Sequence, residues 1–283
     1  MSFMLPKSMD RPTGSQSKIP RRRVQPGQII AVASGKGGVG KTFMSITLAS
    51  AFSQAGQRTL LVDGDLGLAN VDVQLGIAPE TDLAAVIAGW IELEDAVINV
   101  DGGAGQGGFD VLPGRSGSGA LAELSSEEVA RLAAGLSALA LQYDKVVLDL
   151  GAGIEANCMR LARAADKALM VITDDPSSMT DGYAFIKVLR GYAPDVDQGI
   201  IINQAQNRAM GQQTYEAIAR ACKQFLGFRP ALAGVVMRDE KVREAIRSQR
   251  TLISTDPSAQ PVQDAIAIAQ TLIGHSGGAD LHC

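Results

Sequence analysis

The chain has 283 residues, 46% of them apolar and 20% charged, with a formal net charge of −4. That balance excludes a disordered chain and argues against non-specific nucleic-acid binding by the whole body of the protein. Its three cysteines, Cys158, Cys222 and Cys283, are far apart and form no CxxC pair, which argues against a zinc ribbon or disulfide framework and points to a reduced, cytoplasmic setting.

Residues 1–26 are rich in Ser, Pro, Lys and Arg, show no helical or strand period, and end in a basic knot at Arg21, Arg22 and Arg23. They read as a flexible basic arm. From residue 28, strand-length apolar runs alternate with helical stretches. The runs are QIIAVAS, RTLLVDG, KVVLDL, KALMVIT and QGIIINQ; residues 125–142 and 212–226 carry the helical period. The glycine-rich segment 99–119 reads as a loop crossing the sheet edge. The alternation predicts an α/β fold: a doubly wound, mostly parallel sheet with helices on both faces, in one domain over 27–275, with a short flexible tail at 276–283. No apolar run approaches the roughly 18 residues of a membrane span.

GKGGVGKT, residues 35–42, fits G-x-x-x-x-G-K-[ST] between a strand and a helix. Gly35, Gly37, Gly38 and Gly40 let the backbone fold tightly, so that the N–H groups of the run, Val39 included, point at a phosphate. The helix adds its positive dipole end. Lys41 reaches the β- and γ-phosphates, Thr42 ligates Mg²⁺, and Phe43 completes the nucleotide-contacting window. Lys36 has no role in an ordinary P-loop.

Downstream, Asp63 and Asp65 lie at the carboxyl end of a strand, where open α/β sheets bind ligands. Their two-residue spacing puts both carboxylates on one side of an extended chain. An Asp at a strand end also caps turns, so a structural role stays open for both. Asp149 follows four apolar strand residues and is the candidate Mg²⁺-holding carboxylate. Asn203 follows a further strand, where an Asn commonly forms a turn; its amide offers donor and acceptor together.

KGGVGKT resembles the deviant Walker A motif of the MinD/ParA class of P-loop ATPases. The resemblance implies ATP and Mg²⁺ as cofactors, and a Lys36 that crosses a dimer interface to the nucleotide of the other subunit. Two subunits would then sandwich two ATP molecules, and hydrolysis would dissolve the pair. It further implies that Asp65 holds the attacking water, that Asp63 supports the Mg²⁺ shell, that Asn203 reads adenine, and that Arg238 and Asp239 close the base pocket. DGDLGLANVDVQLGIAP (63–79), VLPGRSGSGALAEL (111–124) and DDPSSMTDGYAFIKVL (174–189) resemble the FlhG/FleN branch, regulators of flagellar number and placement. In this chain Gly151 stands in the usual Pro or Ala place of the second switch, Asp175 replaces a Glu, and Met237 replaces a proline.

The implied partners are a second copy of the chain when ATP is bound, and flagellar assembly or regulatory proteins: an FlhF-like GTPase, a flagellar transcription regulator or a switch component. Two features bear on other partners. The basic arm lacks the D-Q-A-x-x-L-R motif of FlhF activators. The last helix, SAQPVQDAIAIAQTLIG, has no Lys or Arg, so membrane association is weakly supported; packing through Val262, Ile266 and Ile273 against the domain is the expectation. The helix over SSMTDGYAFIKVL is expected to be capped by its hydroxyls and Asp181, to bury Ala184, Ile186, Val188 and Leu189, and to offer Tyr183 and Lys187 to a partner. Two other readings stay open: a MinD/ParA-type ATPase that positions DNA, a protein cargo or the division site, and an iron–sulfur carrier, which requires paired cysteines.

Overall fold

The computed structural model describes residues 27–100, 108–114 and 124–274. The basic arm, most of the 99–119 segment, the centre of the 111–124 motif and the tail with His275, His282 and Cys283 lie outside the described residues. Eight strands form one sheet: β1 (Gln28–Ser34), β2 (Thr59–Gly64), β3 (Ile98–Val100), β4 (Phe109–Leu112), β5 (Lys145–Ala152), β6 (Lys167–Ile172), β7 (Asp197–Ala205) and β8 (Ala231–Met237). Their order is β3-β4-β2-β5-β1-β6-β7-β8, parallel throughout except for the antiparallel β3–β4 edge. This is the doubly wound sheet the alternation predicts.

Three strands go beyond the expectation. β3 and β4 frame the glycine-rich segment, which is therefore an edge hairpin in part rather than a loop alone. β8, ALAGVVM, is diluted by Ala and Gly and is exposed at its start, so it lacks the apolar density of its neighbours.

Alternation along the strands feeds two cores. Ile29, Ala31, Leu60, Val62, Val146 and Leu148 pack under α4 (Ser126–Leu139), α5 (Ala156–Ala162), α6 (Pro176–Tyr192) and α7 (Arg208–Leu226). Ile30, Val32, Leu61 and Val147 pack under α1 (Lys41–Gln54) and α10 (Gln260–Gly274). The parity has a consequence for chemistry. Asp63, Asp149 and Asn203 share the second set's face, so all three side chains lie on the α1 side of the sheet. Helix α1 is buried from Lys41 to Phe52, held between the sheet and α10.

The remaining helices are short: α2 (Val71–Leu75), α3 (Leu83–Ile87), α8 (Glu240–Arg247) and α9 (Leu252–Thr255). Helix α7 starts at Arg208, four residues before the periodicity announces it, because Asn207 caps it by accepting from Met210 N. Helix α6 begins earlier than its hydroxyl run: Pro176 is its first residue, and Asp175, not Asp181, is the cap. It buries Phe185, Ile186 and Leu189, while Val188 is exposed and Ala184 half-buried. Helix α10 does pack on the domain, but through Val262, Ala265, Ile268, Ala269 and Leu272; Ile266 and Ile273 are only half-buried.

Candidate functional site

Helix α1 opens directly off the glycine loop. Gly40 has φ 90° and provides no side-chain cap, so the first N–H groups of α1 are uncommitted to a side chain. A Cβ at Gly40 would collide with Asn203 Nδ2. Glycine therefore serves both the left-handed turn and the close approach of β7. Above this turn lies a cleft of about 600 Å³ lined by Gly37, Gly38, Lys41, Thr42, Phe43, Asp65 and, from the far wall, Gly151 and Cys158.

At the cleft floor three donors converge on Asp149. Lys41 Nζ donates to Oδ1 at 3.0 Å, Thr42 Oγ1 to Oδ2 at 2.7 Å, and Ser45 Oγ to Oδ1 at 2.8 Å. Asp149 is fully buried and Lys41 is 8% exposed, so both charges lose hydration, a cost that their mutual attraction and the hydroxyls on both carboxylate oxygens offset. The motif reading passes over Ser45, although its place one turn after Lys41 on the same helix face is the signal that finds it.

The two early carboxylates part ways. Asp65 lines the cleft, with Oδ2 4.0 Å from Lys41 Nζ and Oδ1 accepting from Leu68 N at 3.0 Å. Asp63 is buried and bonded to backbone amides. Its Oδ1 accepts from Asp65 N at 3.2 Å and its Oδ2 from Asn70 N and Val71 N, each at 3.0 Å. Burial pushes the Asp63 carboxyl up to about 7 and the charge of Asp149 adds to this, against the backbone donors and Lys41. Gly151, in the extended run of β5, leaves Asp65 its room: a Cβ there would lie 3.3 Å from Asp65 Oδ1.

Asn203 is 4% exposed and donates from Nδ2 to Val39 O at 2.8 Å; Gln204, at φ 58°, donates to Gly38 O at 3.4 Å. Both amides brace the glycine loop. Asn203, Arg238, Asp239 and Met237 line a cavity of about 200 Å³ next to that loop, roofed by Val242 and Ile246 of α8. Asp239 caps α8 by accepting from Lys241 N. Gly35 follows β1 on the way to the loop.

Lys36 sits outside both cavities' floors and points to its own α6. Its Nζ donates to Asp175 Oδ2 at 2.8 Å and to Ser177 Oγ at 2.5 Å. Lys36 and Ser177 together hold the Asp175 carboxyl down at about 2. Among the described residues the cysteines are not paired: Cys158 Sγ donates to Gly151 O at 3.4 Å and burial raises its thiol to about 12, while Cys222 is a buried residue of α7. The structure brings Lys41, Thr42, Asp65 and Asp149 together, with Asp63 beside Asp149 but bonded to backbone amides, places Asn203, Arg238 and Asp239 at the neighbouring cavity, and turns Lys36 to Asp175 and Ser177.

The residues fit a Mg²⁺–nucleotide. Gly37 and Gly38 leave open space where side chains would stand, and one hydroxyl and one carboxylate meet beside a lysine. Among the described residues no three His, Cys, Asp or Glu side chains form a metal cage. A hard cation that takes most of its ligands from phosphate and water suits this donor set.

Fold and site together define a P-loop nucleotide-binding protein. The chain belongs to the CobQ/CobB/MinD/ParA nucleotide binding domain family, whose model matches residues 30–252. Within that family it is an FlhG/FleN-like member. It is 37% identical over 247 residues to the antiactivator FleN of Pseudomonas aeruginosa, covering 87% of this chain and 86% of that one. It is 30% identical to the flagellum site-determining protein YlxH of Helicobacter pylori, over 87% of this chain and 82% of that one. In fold it is similar to the septum site-determining protein MinD of Pyrococcus horikoshii in complex with Mg-ADP, at a TM-score of 0.73 and 24% identity, covering 89% and 98% of the two chains. Among the described residues, no helix is long and apolar enough to cross a membrane.

Proposed function

We propose that the protein is a Mg²⁺-dependent ATPase that works as an ATP-timed dimer and regulates flagellar number or placement. The observation that carries the chemistry is the convergence of Lys41, Thr42 and Ser45 on Asp149 beneath the open end of α1. The flagellar role rests on the similarity to FleN and YlxH over most of the chain.

In this reading the α1 N–H groups and Lys41 Nζ bind the β- and γ-phosphates and offset the charge that develops during transfer. Thr42 and Asp149 are the residues that would hold Mg²⁺, which when bound neutralises phosphate charge. Asp65, beside Lys41 and facing the cleft, orients the attacking water. Asn203, Arg238 and Asp239 form the base subsite. Catalysis is therefore positioning plus electrostatics, with no covalent step on the protein.

Lys36 is the dimer residue. It leaves Asp175 and Ser177 of its own subunit to meet the nucleotide of the other, so the cis contact is the resting state of that side chain. Lys41→Ala tests the whole reading. ATP binding by titration calorimetry is expected to weaken at least about 100-fold and hydrolysis to vanish, as loss of a buried charge on phosphate requires. A variant that binds and hydrolyses ATP normally would sink it.

A further inference from the structure

The loop that carries Asp65 into the cleft runs from the end of β2 to the start of α2. Both of its ends are bonded to one side chain. Asp63 Oδ1 takes the N–H of Asp65, where the loop leaves the strand. Asp63 Oδ2 takes the N–H groups of Asn70 and Val71, where the loop enters α2. Asn70 occupies the cap position of α2 but makes no side-chain cap bond. The free amides that a helix start leaves are thus satisfied from β2, across the loop, rather than by the local residue.

The clasp is enclosed. Asp63 is 1% exposed. Gly114, just after β4, lies against it so closely that a Cβ there would sit 3.2 Å from Asp63 Cγ and 2.6 Å from Ala69 Cβ. The tied residues Asp65 and Asn70, and Leu66, Gly67 and Leu68 between them, line the cleft. A carboxylate has about four lone-pair directions, and three are taken by backbone donors. Turning it to a metal ion would release the loop that holds Asp65.

We propose that Asp63 is a positioning residue that clasps the 65–71 loop and sets Asp65 opposite Lys41, and that it is not part of the Mg²⁺ shell. The proposal rests on the reading of Asp65 as the residue that orients water. It departs from the expectation that Asp63 and Asp65 act side by side on the ligand.

Asp63→Asn tests it, because an amide keeps the shape but offers one oxygen and turns donors toward donors. ATP hydrolysis by the full chain is measured against ATP and, separately, against Mg²⁺. The expected result is a kcat lower by about 100-fold, the scale of a misplaced reacting group, with KM and half-saturating Mg²⁺ within about twofold of the parent. A half-saturating Mg²⁺ raised by about tenfold or more, with turnover regained at high Mg²⁺, assigns Asp63 to the metal and overturns the proposal. Unchanged turnover overturns it as well.

Amide hydrogen exchange of the nucleotide-free protein gives a readout independent of catalysis. In the parent, the Asp65, Asn70 and Val71 amides should be protected, and in the variant they should exchange at least about tenfold faster. If the variant does not fold, the parent decides: unprotected amides at these three positions overturn the clasp. A parent that hydrolyses no ATP removes the functional reading above but leaves this exchange test standing.

Discussion

Asp149 accepts from three side chains of one helix, and that convergence is possible only because Lys41, Thr42 and Ser45 share the face of α1 that looks at β5. Asp63 lies beside Asp149 in the β2–β5 register, and burial together with the charge of Asp149 raises the cost of ionising Asp63. The sign of the resulting pH effect follows from which state gives up its proton first. The Asp63 carboxyl holds its proton up to about 7 in the fold, against 3.8 for the free group, so the unfolded chain releases the proton first. The stability it contributes is full below about pH 4 and is lost as pH rises through about 7. A tenfold difference in proton affinity between the folded and unfolded chain is worth about 1.4 kcal/mol, so the loss across this window is on the order of 4 kcal/mol in nucleotide-free protein. Urea unfolding of the parent and of Asp63→Asn from pH 4 to 8 is expected to show the variant's stability falling less steeply over this range; parallel curves would contradict a carboxyl that stays protonated in the fold. Lys41, Thr42, Asp65 and Asp149 are legible in the sequence because a P-loop and strand-end carboxylates have fixed places in this fold. The division of labour between Asp63 and Asp65 is not, since spacing says which side a carboxylate is on and not which donors reach it.

Helix α1 has almost no exposed face, because it lies between the sheet and α10. Buried Asp264 of α10 accepts from Met237 N at 2.9 Å and Gln260 Nε2 at 2.8 Å and pairs with Arg208, tying α10 to β8 and α7. The buried apolar side of α10 packs on α1 and β8, so those residues serve the core of the domain. Leu272→Ala, at a 5% exposed position, is expected to cost about 2–5 kcal/mol of unfolding free energy, by lost transfer energy and a cavity. A urea midpoint unchanged from the parent would show that α10 is not part of the core. The elements that composition places well are the five dense apolar strands. It does not reveal β3, which has three residues, β4, which is isolated by glycines, or β8, which is an edge strand with small residues; each takes its stability from pairing rather than from its own composition. The start of α6 is misleading for a related reason. Hydroxyls and an Asp inside the helix mimic a cap, but Pro176 fixes the first turn one residue after Asp175.

Across the whole protein, the cis contact between Lys36 and Asp175 links the glycine loop to α6, the helix whose sequence carries one of the FlhG/FleN-like segments. In the proposed dimer, release of Lys36 from that contact would couple nucleotide occupancy to the surface around α6. With a non-hydrolysable ATP analogue, light scattering is expected to show the parent mass doubling and Lys36→Ala remaining a monomer, with ATP affinity of the monomer within about threefold because Lys41 is intact. A Lys36→Ala protein that still doubles its mass would remove the dimer role of this lysine.

The sheet class, the phosphate loop and the family are written in the chain itself, because the alternation of strands and helices and the spacing of glycines are local properties. It takes the folded molecule to show that Asp63 spends its oxygens on backbone amides, that Gly151 makes room for Asp65, and that Lys36 rests on its own α6. Each of these depends on segments far apart in sequence meeting across the sheet, where burial and competing hydrogen-bond donors, rather than residue type, set what a side chain does.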